Sequence, residues 1–359
     1  MFGLEERALV SPREMEERSR LLASRGLTVP GNESVILGFF EEERLVATGS
    51  LVGNILQGIA VDRELEGEGV AATVTSALLK KAMQMGRRQL FLYSKPDEAK
   101  RFEALGFTLL ATASVERTGL GASLLEWGSE GIDKWRAAIA TKAEGGPEGA
   151  GVAVVNCNPF TLGHYCLLEY AAARTPRLYV LVVEEDRSLF PFEVRFRLVK
   201  EGVSELKNVV ALRGGPYVIS SATFPSYFTR IESGEEERIT ELYAALDIEL
   251  FGRYVASALK ATERFVGTEP YCPVTSIYNR MMKERLPKGG EGWPPVRVHE
   301  MPRFEMEGMP VSASRVRSLI REDRMEDVRP LVPESTWKWL VSDEALPVIE
   351  KIRNSESRH

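Results

Sequence analysis

A chain of 359 residues has room for two domains at about 150 residues each, and 44% hydrophobic with 27% charged residues is the balance of a soluble globular protein. A net charge of −6 argues against a broad surface for nucleic acid or anionic membrane. No apolar run reaches the ~18 residues of a membrane span, and the charged opening Met1-Phe2-Gly3-Leu4-Glu5-Glu6-Arg7 lacks a signal-peptide core, so a cytoplasmic protein is expected, with neither nucleic acid nor membrane as partner.

Taken in order, residues 13–25 set Met15, Leu21 and Leu22 among charges and predict a short helix. Ser34 to Phe40 and Leu45 to Val52 read as a hairpin over the charged turn Glu41-Glu42-Glu43-Arg44. Asn54 to Val61 follows as a third strand, then a glycine-containing loop and a helix to about Met85. Gln89 to Ser94 is another strand, Pro96 to Leu105 a helix and Gly106 to Leu109 the next strand. The loop Glu64-Leu65-Glu66-Gly67-Glu68-Gly69 resembles the acyl-CoA loop of GNAT acetyltransferases, Q/R-x-x-G-x-G/A. Phe102-Glu103-Ala104-Leu105-Gly106-Phe107 is similar to that family's aromatic-x-x-Leu-Gly-Phe ending. The resemblance implies that Gly67 and Gly69 cradle a CoA-like arm at a helix start. Glu64 stands where the family has Gln or Arg, and Glu64, Glu66 and Glu68 would repel a pyrophosphate.

Residues 141–150 lack large apolar side chains and carry Gly145, Gly146, Pro147 and Gly149, so they read as a linker. The expected organisation is a first domain over 1–140, the linker, a second domain over 151–345 and a tail over 346–359. The second half alternates strands, at 151–156, 177–183, 208–213, 263–267 and 295–300, with helices, the pattern of a parallel sheet. Tyr217 to Ser233 is aromatic-rich and irregular and reads as an insertion or lid.

Two segments of this half carry chemistry. Val152 to Val155 is a buried strand that turns at Asn158-Pro159 into a helix from about Gly163 to Arg174. A strand feeding a helix through a short turn is where α/β sheets take ligands, and the helix start favours an anion. Gly163 would let a phosphate approach the backbone, with His164 in the first helical turn. Thr161-Leu162-Gly163-His164 resembles the HxGH signature of adenylyl-transferring nucleotidyltransferases, with Thr161 in place of the first His. The longer string from Asn156 to His164 is similar to that of the citrate lyase ligases. The second segment, Val311-Ser312-Ala313-Ser314-Arg315-Val316-Arg317, resembles the ISSTxVR signature of the same superfamily. Ser312 or Ser314 can cap the following helix, and arginine forks suit a triphosphate.

These resemblances imply an α/β protein with a GNAT-like mixed α+β half followed by a Rossmann-like parallel-sheet nucleotidyltransferase half. They imply an ATP-dependent acetate ligase: acetate attacks the α-phosphate of ATP, and the thiol prosthetic group of the citrate lyase acyl carrier subunit then takes the acetyl group. His164, Thr161 and Arg317 are the catalytic expectations. Asn156, Asn158, Pro159, Phe160, Gly163, Gly267, Thr268, Glu269, Ser312, Ser314 and Arg315 are the nucleotide-binding ones. Arg187 and Arg195, on the loop after the second strand, are expected to meet acetate or pyrophosphate. The three cysteines (Cys157, Cys166, Cys272) lack CxxC spacing, and the only histidines are His164, His299 and His359. No protein metal site is therefore expected, and Mg²⁺ arrives with ATP. The alternatives are adenylylation of a phosphorylated CoA or NAD precursor, acetyl transfer from acetyl-CoA, and nucleotide sensing without catalysis.

Overall fold

A computed structural model describes residues 3–129, 131–185, 187–225 and 233–355. The chain divides into two compact units, one of Met1–Thr112 with Gly121–Gly131, the other of Ala113–Leu120 with Ile132–His359.

The first unit is built on a seven-stranded sheet: β1 (Glu5–Ala8), β2 (Val35–Glu41), β3 (Arg44–Val52), β4 (Ile55–Val61), β5 (Gln89–Ser94), β6 (Thr108–Val115) and β7 (Leu120–Gly128). Their order is β1-β2-β3-β4-β5-β7-β6. The helices are α1 (Pro12–Ser24), α2 (Val70–Gln84) and α3 (Ala99–Glu103). β1–β2, β2–β3, β3–β4 and β5–β7 are antiparallel, but β4 and β5 run parallel and pair only at Ile55↔Phe91 and Leu56↔Leu92. Beyond those pairs they part. α2 buries Val74 and Leu78 on the sheet, and Gly49 makes the room, since a Cβ there would strike both side chains. α2 opens at Gly69, in the left-handed conformation at φ 81°, with no side chain capping its first turn.

Apart from Ala113–Leu120, the second unit begins with α4 (Ile132–Ala140) and holds a five-stranded sheet of β8 (Ala150–Val155), β9 (Leu178–Val182), β10 (Val209–Arg213), β11 (Ala261–Gly267) and β12 (Arg297–Met301). All neighbours are parallel, in the order β10-β9-β8-β11-β12. This is the Rossmann order, whose direction reverses between β8 and β11 and leaves a crevice at their carboxyl ends. Around it lie α5 (Leu162–Ala172), α6 (Phe192–Gly202), α7 (Gly234–Leu250), α8 (Ser257–Leu259), α9 (Pro273–Arg285), α10 (Ala313–Arg321), α11 (Met325–Val328), α12 (Glu334–Leu340) and α13 (Leu346–Arg353). A short hairpin of β13 (Glu305–Met306) and β14 (Met309–Pro310) precedes α10. The fold class is the expected one: a mixed α+β unit followed by a parallel α/β unit.

The boundaries differ. The division falls at Gly131/Ile132, because α4 buries Ile132 and Ile139 within the second unit. The glycine-rich stretch 141–150 is a series of turns running into β8, with Ala143 and Ala150 buried. The expected tail carries α13, whose Val348, Ile349 and Ile352 join the core of the second unit. Residues 356–359 lie outside the described residues. So do 226–232 of the expected insertion, whose Tyr217 and Phe224 are buried rather than forming an open loop.

Candidate functional site

The carboxyl ends of β8, β11 and β12 bring the expected residues to one edge of the parallel sheet. After β8 the chain turns through Asn156 to Phe160, with Cys157 at φ 52° and a cis bond between Asn158 and Pro159. Thr161, extended at φ −120°, caps α5. Its hydroxyl accepts the His164 backbone N–H at 3.4 Å, and its own backbone N–H donates to His164 Nδ1 at 3.1 Å. The hydroxyl also lies 2.8 Å from Nδ1. An Nδ1 that accepts a backbone N–H carries no proton, so the neutral ring holds its hydrogen on Nε2 as a donor. The imidazole is stacked on Phe160 at 6.1 Å. Its pKa is pushed down to about 4, first by desolvation and then by the charges of Arg303 and Arg317. At neutral pH His164 is therefore an uncharged, oriented donor. Thr161 is fully buried and holds the His164 ring through its backbone N–H and hydroxyl.

The second motif lies against the first. Ser312 caps α10, accepting the Arg315 backbone N–H at 3.2 Å. The carbonyl oxygen of Val311 sits 2.4 Å from where a Cβ on Gly163 would be, so the glycine permits this close backbone approach. Arg317, 5% exposed, donates through Nη1 to the carbonyl of Asn158 and through Nη2 to Ser314 Oγ at 3.5 Å. Burial, then Arg321, lowers its pKa to about 10, which leaves it charged. It ties the two motifs together. Two donors here have no partner among the described residues: Arg315 Nη1 and Asn158 Nδ2, both buried. Asn158 is 3% exposed, and its Oδ1 accepts the Phe190 N–H at 3.0 Å. Ser314 is exposed.

Several of the expected contact residues have partners within the protein. Arg195 is fully buried, and its guanidinium donates to the carbonyls of Phe190, Asn156, Val183 and Glu185 and to Asn156 Oδ1. It binds the loop ends of β8 and β9 to each other. The Asn156 amide is taken by Arg195 and Ser188. Pro159 and Phe160 are buried supports, the Phe160 carbonyl accepting Thr336 Oγ1 at 2.8 Å. Arg187 is exposed on the loop. Glu269 caps its own loop: Oε1 accepts the N–H groups of Tyr271 and Cys272, and Oε2 pairs with Arg303. Thr268 Oγ1 accepts the Arg303 N–H at 3.2 Å, and open space lies where a Gly267 Cβ would be.

Sequence reasoning missed Arg303. It follows β12, donates from Nε to the Thr268 carbonyl at 3.0 Å, and lies close enough to His164 to shift it. A basic residue just past the fifth strand, at the carboxyl edge, was the available signal. Among the described residues no cluster of three His, Cys, Asp or Glu side chains is placed to hold a metal ion.

In the first unit, Gly67 (φ 85°) and Gly69 (φ 81°) face open space. Two of the loop's three glutamates have basic partners, Glu64 with Arg44 at 2.9 Å and Glu66 with Arg25.

Comparison with known proteins bears on both units. The citrate lyase ligase C-terminal domain family matches residues 150–340. A citrate (pro-3S)-lyase ligase of Klebsiella pneumoniae is 40% identical over 300 residues, 84% of each chain. Its counterpart in Escherichia coli K12 is 35% identical over 328 residues, 91% of this chain and 90% of that one. Solved structures similar to part of the chain include Escherichia coli ElaA, 12% identical over 34% of this chain and 99% of that one, with a TM-score of 0.32. Another is FeeM, an N-acyl amino acid synthase from uncultured soil microbes, 18% identical over 37% of this chain and 93% of that one, with a TM-score of 0.31. The matched residues 150–340 contain both edge segments described above, and on the strength of these relatives this chain belongs to the citrate lyase ligase family.

Proposed function

We propose that this chain is an acid–thiol ligase that activates acetate with ATP and acetylates the thiol prosthetic group of the citrate lyase acyl carrier subunit in the cytoplasm. One observation carries the reading: the starts of α5 and α10 meet through Gly163 and Val311, with His164 in the first turn of one helix and Arg315 in the first turn of the other, its Nη1 buried with no partner among the described residues. Two helix starts and a guanidinium favour a polyanion. An acetate oxygen attacks the α-phosphorus, the bond to the bridging oxygen breaks and pyrophosphate leaves. The thiol sulfur then attacks the acyl carbon of acetyl-adenylate, the carbon–oxygen bond breaks, AMP leaves and the thiol proton passes to solvent. Nε2–H of His164 donates to the α-phosphate as charge builds there, and the Arg315 guanidinium balances the departing pyrophosphate.

The donor set at the junction is cationic and neutral, which fits a metal carried by the nucleotide better than one caged by protein. Mg²⁺ bound with ATP would neutralise phosphate charge. The three free cysteines agree with a reducing compartment. In this reading the Gly67–Gly69 loop holds the pantetheine-like arm of the carrier.

The deciding assay is ATP–pyrophosphate exchange. Exchange that requires acetate, and that a phosphomonoester does not support, is the expected result. Exchange that requires a phosphomonoester would replace this reading with the precursor-adenylylating one. For the loop, Gly67→Val with Gly69→Val should slow carrier acetylation and leave acetate-dependent exchange unchanged. Unchanged carrier kinetics would remove the loop from the reaction.

A further inference from the structure

We infer that the cavity at the carboxyl end of α2 is the docking site for the body of a protein partner, which brings to it an acidic face and an apolar side chain. Under the proposed function that partner is the acyl carrier subunit. The inference rests on that reading, which makes one substrate a protein, and adds the surface that recognises it.

The cavity has a volume of about 570 Å³, and its walls include Met83, Gly86, Arg87, Arg88 and Trp127, all within the first unit. α2 ends at Gln84, Gly86 turns the chain at φ 76°, and Arg87 and Arg88 follow at once before β5. Trp127 is brought alongside by β7, paired with Leu90 of β5. It is half-buried and packs against the core of the first unit, so this wall is fixed before a partner arrives. Met83 is 51% exposed and Met85, two residues on, is 48% exposed. Tryptophan, methionine and arginine together are the residue types that protein interfaces concentrate at their centres. The thioether side chains adapt to the shape that meets them.

Charge selects the chemistry of the occupant. Arg87 donates to the Gly53 carbonyl and to Ser34 Oγ at 3.0 Å, both neutral acceptors. Arg88 is exposed and forms no ion pair among the described residues. Lys81, in the last turn of α2, adds a cation to the same end. Glu126, beside Trp127 in the chain, is buried and accepts the Gln89 amide at 2.7 Å. The mouth is therefore positive on a chain whose net charge is −6, and carboxylates on a partner complement it.

The length of α2 fits a carrier with an arm. Its 15 residues span about 22 Å, with Gly69 at one end and the cavity at the other. A small domain is about 30 Å across. One docked body therefore covers the cavity and still brings its arm to the Gly67–Gly69 loop.

The test measures the KM for the carrier subunit in acetyl transfer by the full-length chain, with acetate-dependent ATP–pyrophosphate exchange as the control. Arg88→Glu should raise the carrier KM about tenfold, the loss of one strong interface contact. Met83→Ser, which removes an apolar contact, should raise it about threefold. Both side chains are exposed, so folding and exchange should stay unchanged. Added salt should raise the wild-type carrier KM, and raise it less in Arg88→Glu. An unchanged carrier KM in either variant overturns the docking site and leaves the proposed function standing. Equal losses of exchange and transfer also overturn it, because the two residues would then be supporting the fold or the chemistry. A wild-type carrier KM indifferent to salt overturns the acidic partner. Failure of the proposed function would look different: the wild-type chain would show no acetate-dependent exchange at all.

Discussion

The carbonyl oxygen of Val311 fills the position that a side chain on Gly163 would take, well inside the 3.0 Å that real Cβ contacts respect. The neighbour is backbone and cannot swing away. Gly163→Ala should therefore push the α5 start and the 311–315 segment apart. The expected result is a loss of about 1–3 kcal/mol in denaturant unfolding, as for other overpacked sites, with pyrophosphate release reduced far more than that loss explains. A fully active Gly163→Ala would show that the two segments need not meet.

His164→Ala should lower pyrophosphate release by about 10²- to 10³-fold, the usual effect of removing one donor from a site of developing charge. Circular dichroism and thermal unfolding should show the fold retained. Near-normal turnover would contradict the assigned role.

The same ring makes stability depend on pH in a defined direction. Its folded pKa of about 4 lies below the ordinary 6.5, so on acidification the unfolded chain takes up this proton first. Stability from this group is complete above about 6.5 and is lost as pH falls toward 4. Wild type should lose more stability across that window than His164→Gln. Arg303→Gln removes a cation that opposes protonation, so it should move the lower edge of the window upward. Thermal unfolding measured between pH 4 and pH 8 checks both, where the range is about that of the window.

Thr161→Val removes the hydroxyl that caps α5 and neighbours Nδ1. It should cost about 1 kcal/mol of stability, as caps do, and should lower kcat more than it raises the KM for ATP. Thr161→Ser should restore both. Equal loss in Thr161→Ser would mean that the methyl group, not the hydroxyl, matters.

Arg195→Met should unfold or strongly destabilise the second unit, because several buried carbonyls lose their donor at about 1–3 kcal/mol each. Arg195→Lys should not rescue it, since one ammonium cannot reach carbonyls spread around a planar fork. Any fraction that stays folded should keep its KM for acetate. A stable Arg195→Met with a raised acetate KM would return this residue to the ligand.

Much of the architecture was legible locally. β8 announced itself as an apolar run, Asn158-Pro159 as a break, and Thr161 and Ser312 as caps. The strand and helix spans of the first unit from α1 to β5 fall within a few residues of their expected places. α4 and α13 were not legible, because each buries only a few apolar residues and lies beside a stretch that reads as linker or tail. The protein partners of Gly163, Arg195 and Glu269 were not legible for a different reason. Each is decided by where other segments arrive: a carbonyl about 150 residues away for Gly163, loop carbonyls from two strands for Arg195, and an arginine from the next strand for Glu269. Those partners come from segments far along the chain, and only the packing shows them.

The unmatched N–H groups on Arg315 and Asn158 have a thermodynamic consequence. A buried N–H that meets no protein acceptor among the described residues carries a desolvation cost, a tension that an oxygen brought to it removes. A ligand supplying oxygens at those two points relieves that tension as well as adding its own contacts. Occupancy should then raise the melting temperature more than the area covered would suggest.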